Sequence, residues 1–232
     1  MGTMLHLGYP GGLYPGSLNT VPAATQAAAI DRAANQIKPL NTGGKSDPTR
    51  GKIVLLSIGM SNTSMEFDGI PDAFKPRADT DNSKNPKLVI VNGAQGGMDA
   101  KDWSDPLNAA WKQVSTLLNK AGVKAPQVQI VWLKEALAVV SSYGAFPSHA
   151  ITLQSDLEAI ARNILTNYPN AKLVYISTRT RAYTTDPATV NPEPYAYETG
   201  FGVKWTIEDQ INGVGNVNYD SSKGPVVAPL ML

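Results

Sequence analysis

The sequence predicts an α/β protein, a three-layer αβα sandwich in which helices cover both faces of a central, mostly parallel sheet. Two observations predict this class. Four short apolar runs are rich in valine, isoleucine and leucine and do not alternate with polar residues, as is typical of strands buried on both faces. Helical segments separate these runs, and strands that alternate with helices indicate parallel βαβ units. A chain of 232 residues is long enough to build one such domain around a sizeable core.

The four apolar runs are the predicted strands. They are IVLLSI at residues 53–58, LVIVN at 88–92, VQIVWL at 128–133 and LVYIS at 173–177. Apolar residues at helical spacing predict helices within residues 21–37, 105–122 and 148–169, and a further helix over 195–211 that Gly200 and Gly202 weaken.

The domain organisation follows from these elements. Residues 1–50 are predicted to form an irregular N-terminal segment plus an Ala-rich helix that packs on the domain, because residues 1–20 are rich in glycine and proline. Residues 51–232 are predicted to form the α/β domain, and truncation of this domain at its C-terminus is one expectation left open.

Composition excludes several classes of function. Lys and Arg number 20 against 19 Asp and Glu, and the chain has no basic run, so neither nucleic acid nor an anionic membrane is an expected partner. The absence of cysteine excludes disulfides, thiolate metal sites and cysteine nucleophiles. No stretch approaches the about 20 apolar residues that a membrane-spanning helix needs.

Unusual residues follow three of the predicted strands. The first strand is followed by Gly59-Met60-Ser61-Asn62, the second by a loop that contains Gly96 and Gly97, and the third by Lys134 and Glu135. Because ligands of open parallel sheets bind beyond the carboxyl ends of the strands, we expect these residues to share one edge. A serine on a tight turn can attack a carbonyl carbon, and bare glycine amides can stabilise the resulting oxyanion.

Two of these segments resemble motifs of the SGNH (GDSL-type) hydrolases. LLSIGMSNT at residues 55–63 resembles the nucleophile block, and GAQGGMDAKDW at 93–103 resembles the second block, in the form found in sialate O-acetylesterase-like and other carbohydrate-esterase members. The resemblance covers about residues 50–180. It implies a flavodoxin-like fold, Ser61 as the nucleophile with its own amide in the oxyanion hole, and Gly96 or Gly97 as a second donor.

The resemblance also implies a substrate class. The expected substrate is a small-molecule or carbohydrate ester, with no metal, no organic cofactor and no membrane partner, in a secreted or periplasmic protein. Lys134 stands nearest to the third block, where the family carries an asparagine, and is the third candidate oxyanion donor. Asn62, beside the serine, and Arg179, after the fourth strand, are the predicted substrate contacts.

The sequence departs from the family in its general base. The family takes this base from a late Asp-x-x-His block, whereas the histidines of this chain are His6 and His149. Three explanations are open. The chain is truncated before that block, His149 has been recruited as the base, or the protein is a catalytically inactive relative, since a serine without a base is a poor nucleophile.

Two other classes of function compete with an esterase. A nucleotide-binding α/β domain is disfavoured, because the first strand is followed by one glycine rather than by Gly-x-Gly-x-x-Gly. A catalytically inactive carbohydrate-binding or scaffold protein on the hydrolase fold is the alternative that the missing base favours.

Overall fold

The predicted strands form one parallel sheet in a computed structural model that describes residues 2–232. A short antiparallel hairpin of β1 and β2 comes first in the chain, and β3 to β7 form the sheet in the spatial order β4-β3-β5-β6-β7. All four neighbouring pairs of the sheet are parallel, which confirms the predicted α/β class. The strands are β1 (Leu5–His6), β2 (Tyr9–Pro10), β3 (Ile53–Gly59), β4 (Leu88–Asn92), β5 (Val128–Lys134), β6 (Leu173–Ser177) and β7 (Leu230–Met231).

Helices flank the sheet. They are α1 (Ala23–Asp31), α2 (Ser61–Ser64), α3 (Phe74–Thr80), α4 (Ala100–Ser104), α5 (Ala109–Lys120), α6 (Ser148–Asn167) and α7 (Tyr195–Ile211). A π-helical turn extends α1 over Arg32–Gln36, and another extends α2 over Met65–Gly69. Of the helices in residues 2–232, not one is both long and apolar enough to reach across a bilayer.

The strand order places a switch in chain direction beside β3. The chain moves from β3 outward to β4 and then returns past β3 to β5, β6 and β7. This is the doubly wound order of flavodoxin-like sheets, and right-handed crossovers therefore put α2 and α3 on one face and α4 to α7 on the other. Ligands of such sheets bind where the direction switches, which here is at the carboxyl ends of β3 and β5.

The two faces are covered unequally. Core residues of α5, α6 and α7 pack with Val54, Leu56 and Val131 in one large buried cluster. On the other face, the Phe67 ring stacks on Trp132 with centroids 5.6 Å apart, while the side chain of Tyr175 remains 45% exposed.

Strand β7 was not predicted, because a two-residue strand leaves no periodic signal in the sequence. It is held by the buried side chain of Gln210 in α7. Oε1 of Gln210 accepts a hydrogen bond from the Met231 amide at 2.7 Å, and Nε2 donates to the Pro229 carbonyl at 2.9 Å.

The N-terminal hairpin also differs from the irregular segment expected for residues 1–20. Leu7 and Gly8 turn the chain with φ angles of 49° and 87°, which joins the two short strands of the hairpin. His6 stacks against Phe201 of α7 at 5.6 Å, and Nζ of Lys204 donates to the Gly11 carbonyl at 3.2 Å. Residues near the start of the chain therefore pack on α7.

Candidate active site

Ser61 is the first residue of α2, and its side chain is exposed. The turn that exposes it begins at Gly59, where an added Cβ would lie 2.6 Å from Cβ of Thr63 and would also collide with the carbonyl oxygen of Lys134. Only glycine fits so close an approach of backbone and side chain. The chain therefore turns sharply after β3, with Met60 buried and Ser61 at the surface.

The glycine loop after β4 lies directly against this serine. A Cβ built on Gly96 would be 3.7 Å from Cβ of Ser61, which is an ordinary van der Waals contact. The Gln95 amide donates to the Gly59 carbonyl at 2.8 Å and fixes the loop to the end of β3. Gly97 has a φ angle of +82°, in the left-handed region that favours glycine.

The glycine loop beside Ser61 contains amides without partners among the described residues. Neither the Gly96 nor the Gly97 amide donates a hydrogen bond to any of residues 2–232. The Ser61 amide begins a helix, where N–H groups have no partner within the helix. The structure thus brings together Ser61 and the glycine loop as the sequence predicted, and their chemical roles stay predictions.

A chain of hydrogen bonds ties β3, β4 and α2 together beneath the serine. Oγ of Ser57 donates to Oδ1 of Asn92 at 2.7 Å, and Nδ2 of Asn92 donates to Oγ of Ser64 at 2.9 Å. Because Ser57 is fully buried, these bonds offset the cost of removing its hydroxyl from water. Ser57 is not among the residues predicted from the sequence, and a serine inside an otherwise apolar strand is the signal that marks it.

The side chain of Lys134 forms an ion pair with a carboxylate. Its side chain is 2% exposed, and Nζ donates to Oε1 of Glu66 at 2.6 Å. Its carbonyl oxygen accepts a hydrogen bond from Oγ1 of Thr63 at 2.7 Å. Since Thr63 and Glu66 follow Ser61 closely in the chain, Lys134 holds the serine-bearing segment on the end of β5. Its expected part as an oxyanion donor stays a prediction.

Three buried polar atoms near this edge have no hydrogen-bond partner among the described residues. They are Nδ2 of Asn62, Oε1 of Glu135 and Nε of Arg179. Each such atom costs about 1–3 kcal/mol in a folded protein, so native structures contain few of them. Their positions after β3, β5 and β6 are typical of a ligand site. Asn62 and Arg179 are the predicted substrate contacts, and that role stays a prediction.

The carboxyl group of Glu135 favours its uncharged form. Burial raises the pKa of Glu135 well above its usual range. The Ala136 amide lowers that pKa in part, whereas the negative charges of Asp99 and Asp102 raise it further. The nearby guanidinium of Arg179 lowers it.

Both histidines bind the same buried carboxylate, that of Glu198. Nε2 of His149 lies 2.8 Å from Oε2 of Glu198, and Nε2 of His6 lies 2.9 Å from Oε1. Although burial raises the pKa of Glu198, the hydrogen bonds from His149 and His6 hold it below its usual range. Among residues 2–232, no side chain forms a hydrogen bond with Oγ of Ser61, and recruitment of His149 as the base therefore has no contact to support it.

Comparisons with known proteins identify no similar protein. A scan against protein-family models, a search of curated proteins and a search of solved structures each found no match. The likeness to SGNH hydrolases therefore rests on the two sequence motifs and stays a prediction. Within residues 2–232, no group of three or more His, Asp or Glu side chains is placed to hold a metal ion.

The ion pair of Lys134 and Glu66 predicts unequal effects of removing either partner. Glu66→Ala leaves a buried ammonium without its counter-charge, and we expect the free energy of unfolding to fall by about 3 kcal/mol. Lys134→Met leaves only the carboxylate of Glu66, which is 37% exposed. We expect a loss of about 1 kcal/mol or less for that variant. Urea denaturation at about pH 7 measures both, and equal losses would contradict this account.

The raised pKa of Glu135 predicts a pH dependence of stability. Below the ordinary pKa of 4.5, wild type and Glu135→Gln are both uncharged at this position and differ little. Above it, the unfolded wild type releases the proton that the folded state retains. Wild type therefore loses stability relative to the variant, by up to about 1.4 kcal/mol per pH unit, until the folded pKa is reached.

Urea denaturation of the two proteins between about pH 4 and pH 8 measures this difference. The exposed carboxylate of Asp68 supplies the control variant Asp68→Asn, which removes one acidic group from the surface. A flat difference between wild type and Glu135→Gln, or one of opposite sign, would show that Glu135 ionises normally in the folded state.

Proposed function

We propose that this protein is a serine ester hydrolase of the SGNH type, which cleaves carboxylic esters such as O-acetyl groups on carbohydrates. One observation carries the proposal. The exposed Ser61 lies against Gly96, and the amides of Gly96 and Gly97 donate no hydrogen bond to any of residues 2–232. Acyl transfer requires a nucleophile and, near it, hydrogen-bond donors for the oxyanion.

The reaction follows from this arrangement. Oγ of Ser61 attacks the ester carbonyl carbon, and the carbonyl oxygen becomes an oxyanion beside the amides of Ser61 and of the glycine loop. Each such donor contributes about 3–4 kcal/mol to stabilisation of the transition state. Collapse of the tetrahedral intermediate breaks the ester bond and releases the alcohol, which takes up the serine proton. Water then hydrolyses the acyl group from Ser61 and releases the acid.

The proposal assigns the nucleophile and the oxyanion donors and no general base. Oγ of Ser61 makes no hydrogen bond within residues 2–232, and both histidines are engaged by Glu198. This second observation favours another candidate function, a catalytically inactive carbohydrate-binding or scaffold protein on the same fold. A serine that lacks its triad partners keeps only a small part of its rate.

Replacement of the serine separates the two candidate functions. We expect the chain to hydrolyse 4-nitrophenyl acetate and a fluorophosphonate probe to label Ser61, and Ser61→Ala to lower turnover by at least about a thousandfold and abolish labelling. Mass spectrometry of the labelled peptide locates the probe. Ser155→Ala is the matched control, because Ser155 is an exposed serine on α6.

Labelling at another residue, or at none, would count against the hydrolase. If the protein binds an acetylated oligosaccharide but does not turn over the aryl acetate, the inactive binding protein is the better account.

A further inference from the structure

A cavity opens beyond the carboxyl end of β6, between the loop after that strand and the first turn of α7. Its volume is about 450 Å³. The side chains that line it are Thr178, Arg179, Arg181, Glu193, Ala196 and Tyr197. Two arginines in one small cavity make its chemistry distinct from that of the serine and the glycine loop.

Neither arginine has a carboxylate partner. Arg179 and Arg181 form no ion pair with any carboxylate of residues 2–232, and Nε of Arg179 is buried without a hydrogen-bond partner. The guanidinium of Arg181 lies over the Tyr183 ring at 5.3 Å. Because a guanidinium group is always charged at neutral pH, the cavity holds positive charge that no ion pair neutralises.

Glu193 is the one acidic side chain among those that line the cavity, so its charge offsets only one of the two arginines. Oε1 of Glu193 accepts the Ala182 amide at 3.0 Å and Oε2 accepts the Tyr197 amide at 3.1 Å. The carboxylate of Glu66 is paired with Lys134. Since α7 also directs its N-terminal end toward this cavity, the helix dipole adds to the positive potential.

The cavity lies within reach of a substrate held at Ser61. Ser61 follows β3 and Arg179 follows β6, and these strands are separated by β5 alone. Two strand spacings amount to about 10 Å. An ester held at Ser61 could therefore extend a neighbouring group of the same molecule into the cavity.

We propose that this cavity binds an anionic group of the substrate, so that the protein acts on esters of molecules that carry a negative charge about 10 Å from the reacting carbonyl. An acidic sugar next to the esterified sugar has this form, and its charge is a carboxylate or a sulfate ester. This inference rests on the proposed function, because only a substrate held at Ser61 relates the two sites.

Binding to the full-length Ser61→Ala protein tests the inference without turnover. The probes are D-glucuronate, D-glucose 6-sulfate and the neutral D-glucose, titrated at low salt and followed by protein-observed NMR. We expect at least one of the two anionic sugars to bind about tenfold more tightly than glucose, because guanidinium groups form charge-assisted hydrogen bonds with such anions. The anion that binds more tightly identifies the charged group as carboxylate or sulfate.

Two substitutions locate the binding. We expect Arg181→Gln and Arg179→Gln each to weaken binding of the anionic sugar by about three- to tenfold. Arg50→Gln is the matched control and should have no effect. Arg50 lies just before the amino end of β3, whereas the cavity lies beyond the carboxyl end of β6. Arg181 is exposed, so its variant remains informative if the half-buried Arg179 proves necessary for folding.

Equal binding of the three sugars, or anion binding that persists unchanged in Arg181→Gln, would overturn the inference. Hydrolysis of 4-nitrophenyl acetate, which carries no anionic group, tests the proposed function alone. A protein that hydrolyses this ester but does not distinguish the sugars keeps its proposed function and loses the anionic subsite.

Discussion

Strands β3 and β5 end so close together that only glycine fits at position 59. A side chain there would meet Thr63 and the carbonyl of Lys134. The same glycine offers its own carbonyl to the Gln95 amide, which begins the turn of the glycine loop. One close approach thus directs Ser61 outward and seats Gly96 against it, because both segments are anchored to the same residue.

Charged side chains near Gly59 also hold the serine-bearing segment in place. The Lys134 ammonium is buried, and its pairing with Glu66 fastens the serine-bearing segment to β5. Burial favours the uncharged form of Glu135, while no carboxylate of residues 2–232 pairs with Arg179. The guanidinium of Arg179 therefore has no paired carboxylate from the described part of the chain at this edge of the sheet, in a region partly withdrawn from water, while the negative charges of Asp99 and Asp102 act on Glu135. Fixed positive charge and bare amides in such a region favour a negative charge that develops on a bound group.

The sequence predicts the sheet better than it predicts the site. Uninterrupted Val, Ile and Leu runs identify the four longer strands, because burial on both faces leaves a local signal. Strand β7 has two residues and is held by Gln210 of helix α7, 21 positions before Met231, so no local pattern reveals it. The serine and the glycine loop were identified by their turn chemistry. The pairing of Lys134 with Glu66 was not, because it depends on which side chains meet in space.

The contacts of the two histidines likewise cannot be predicted from the sequence. Their sequence positions suggest no connection, yet both bind Glu198, which is remote from either in the chain. Both side chains contact Glu198, and neither forms a hydrogen bond with Oγ of Ser61.

The central claim is that the Ser61 hydroxyl and the glycine amides act on one reacting group. A crystal structure of the chain after reaction of Ser61 with a diethyl organophosphate tests it most directly. The account predicts a phosphoryl oxygen within about 3 Å of the Ser61 amide and of the Gly96 or Gly97 amide. An adduct whose phosphoryl oxygen points into solvent, with the glycine amides bound elsewhere, would contradict it.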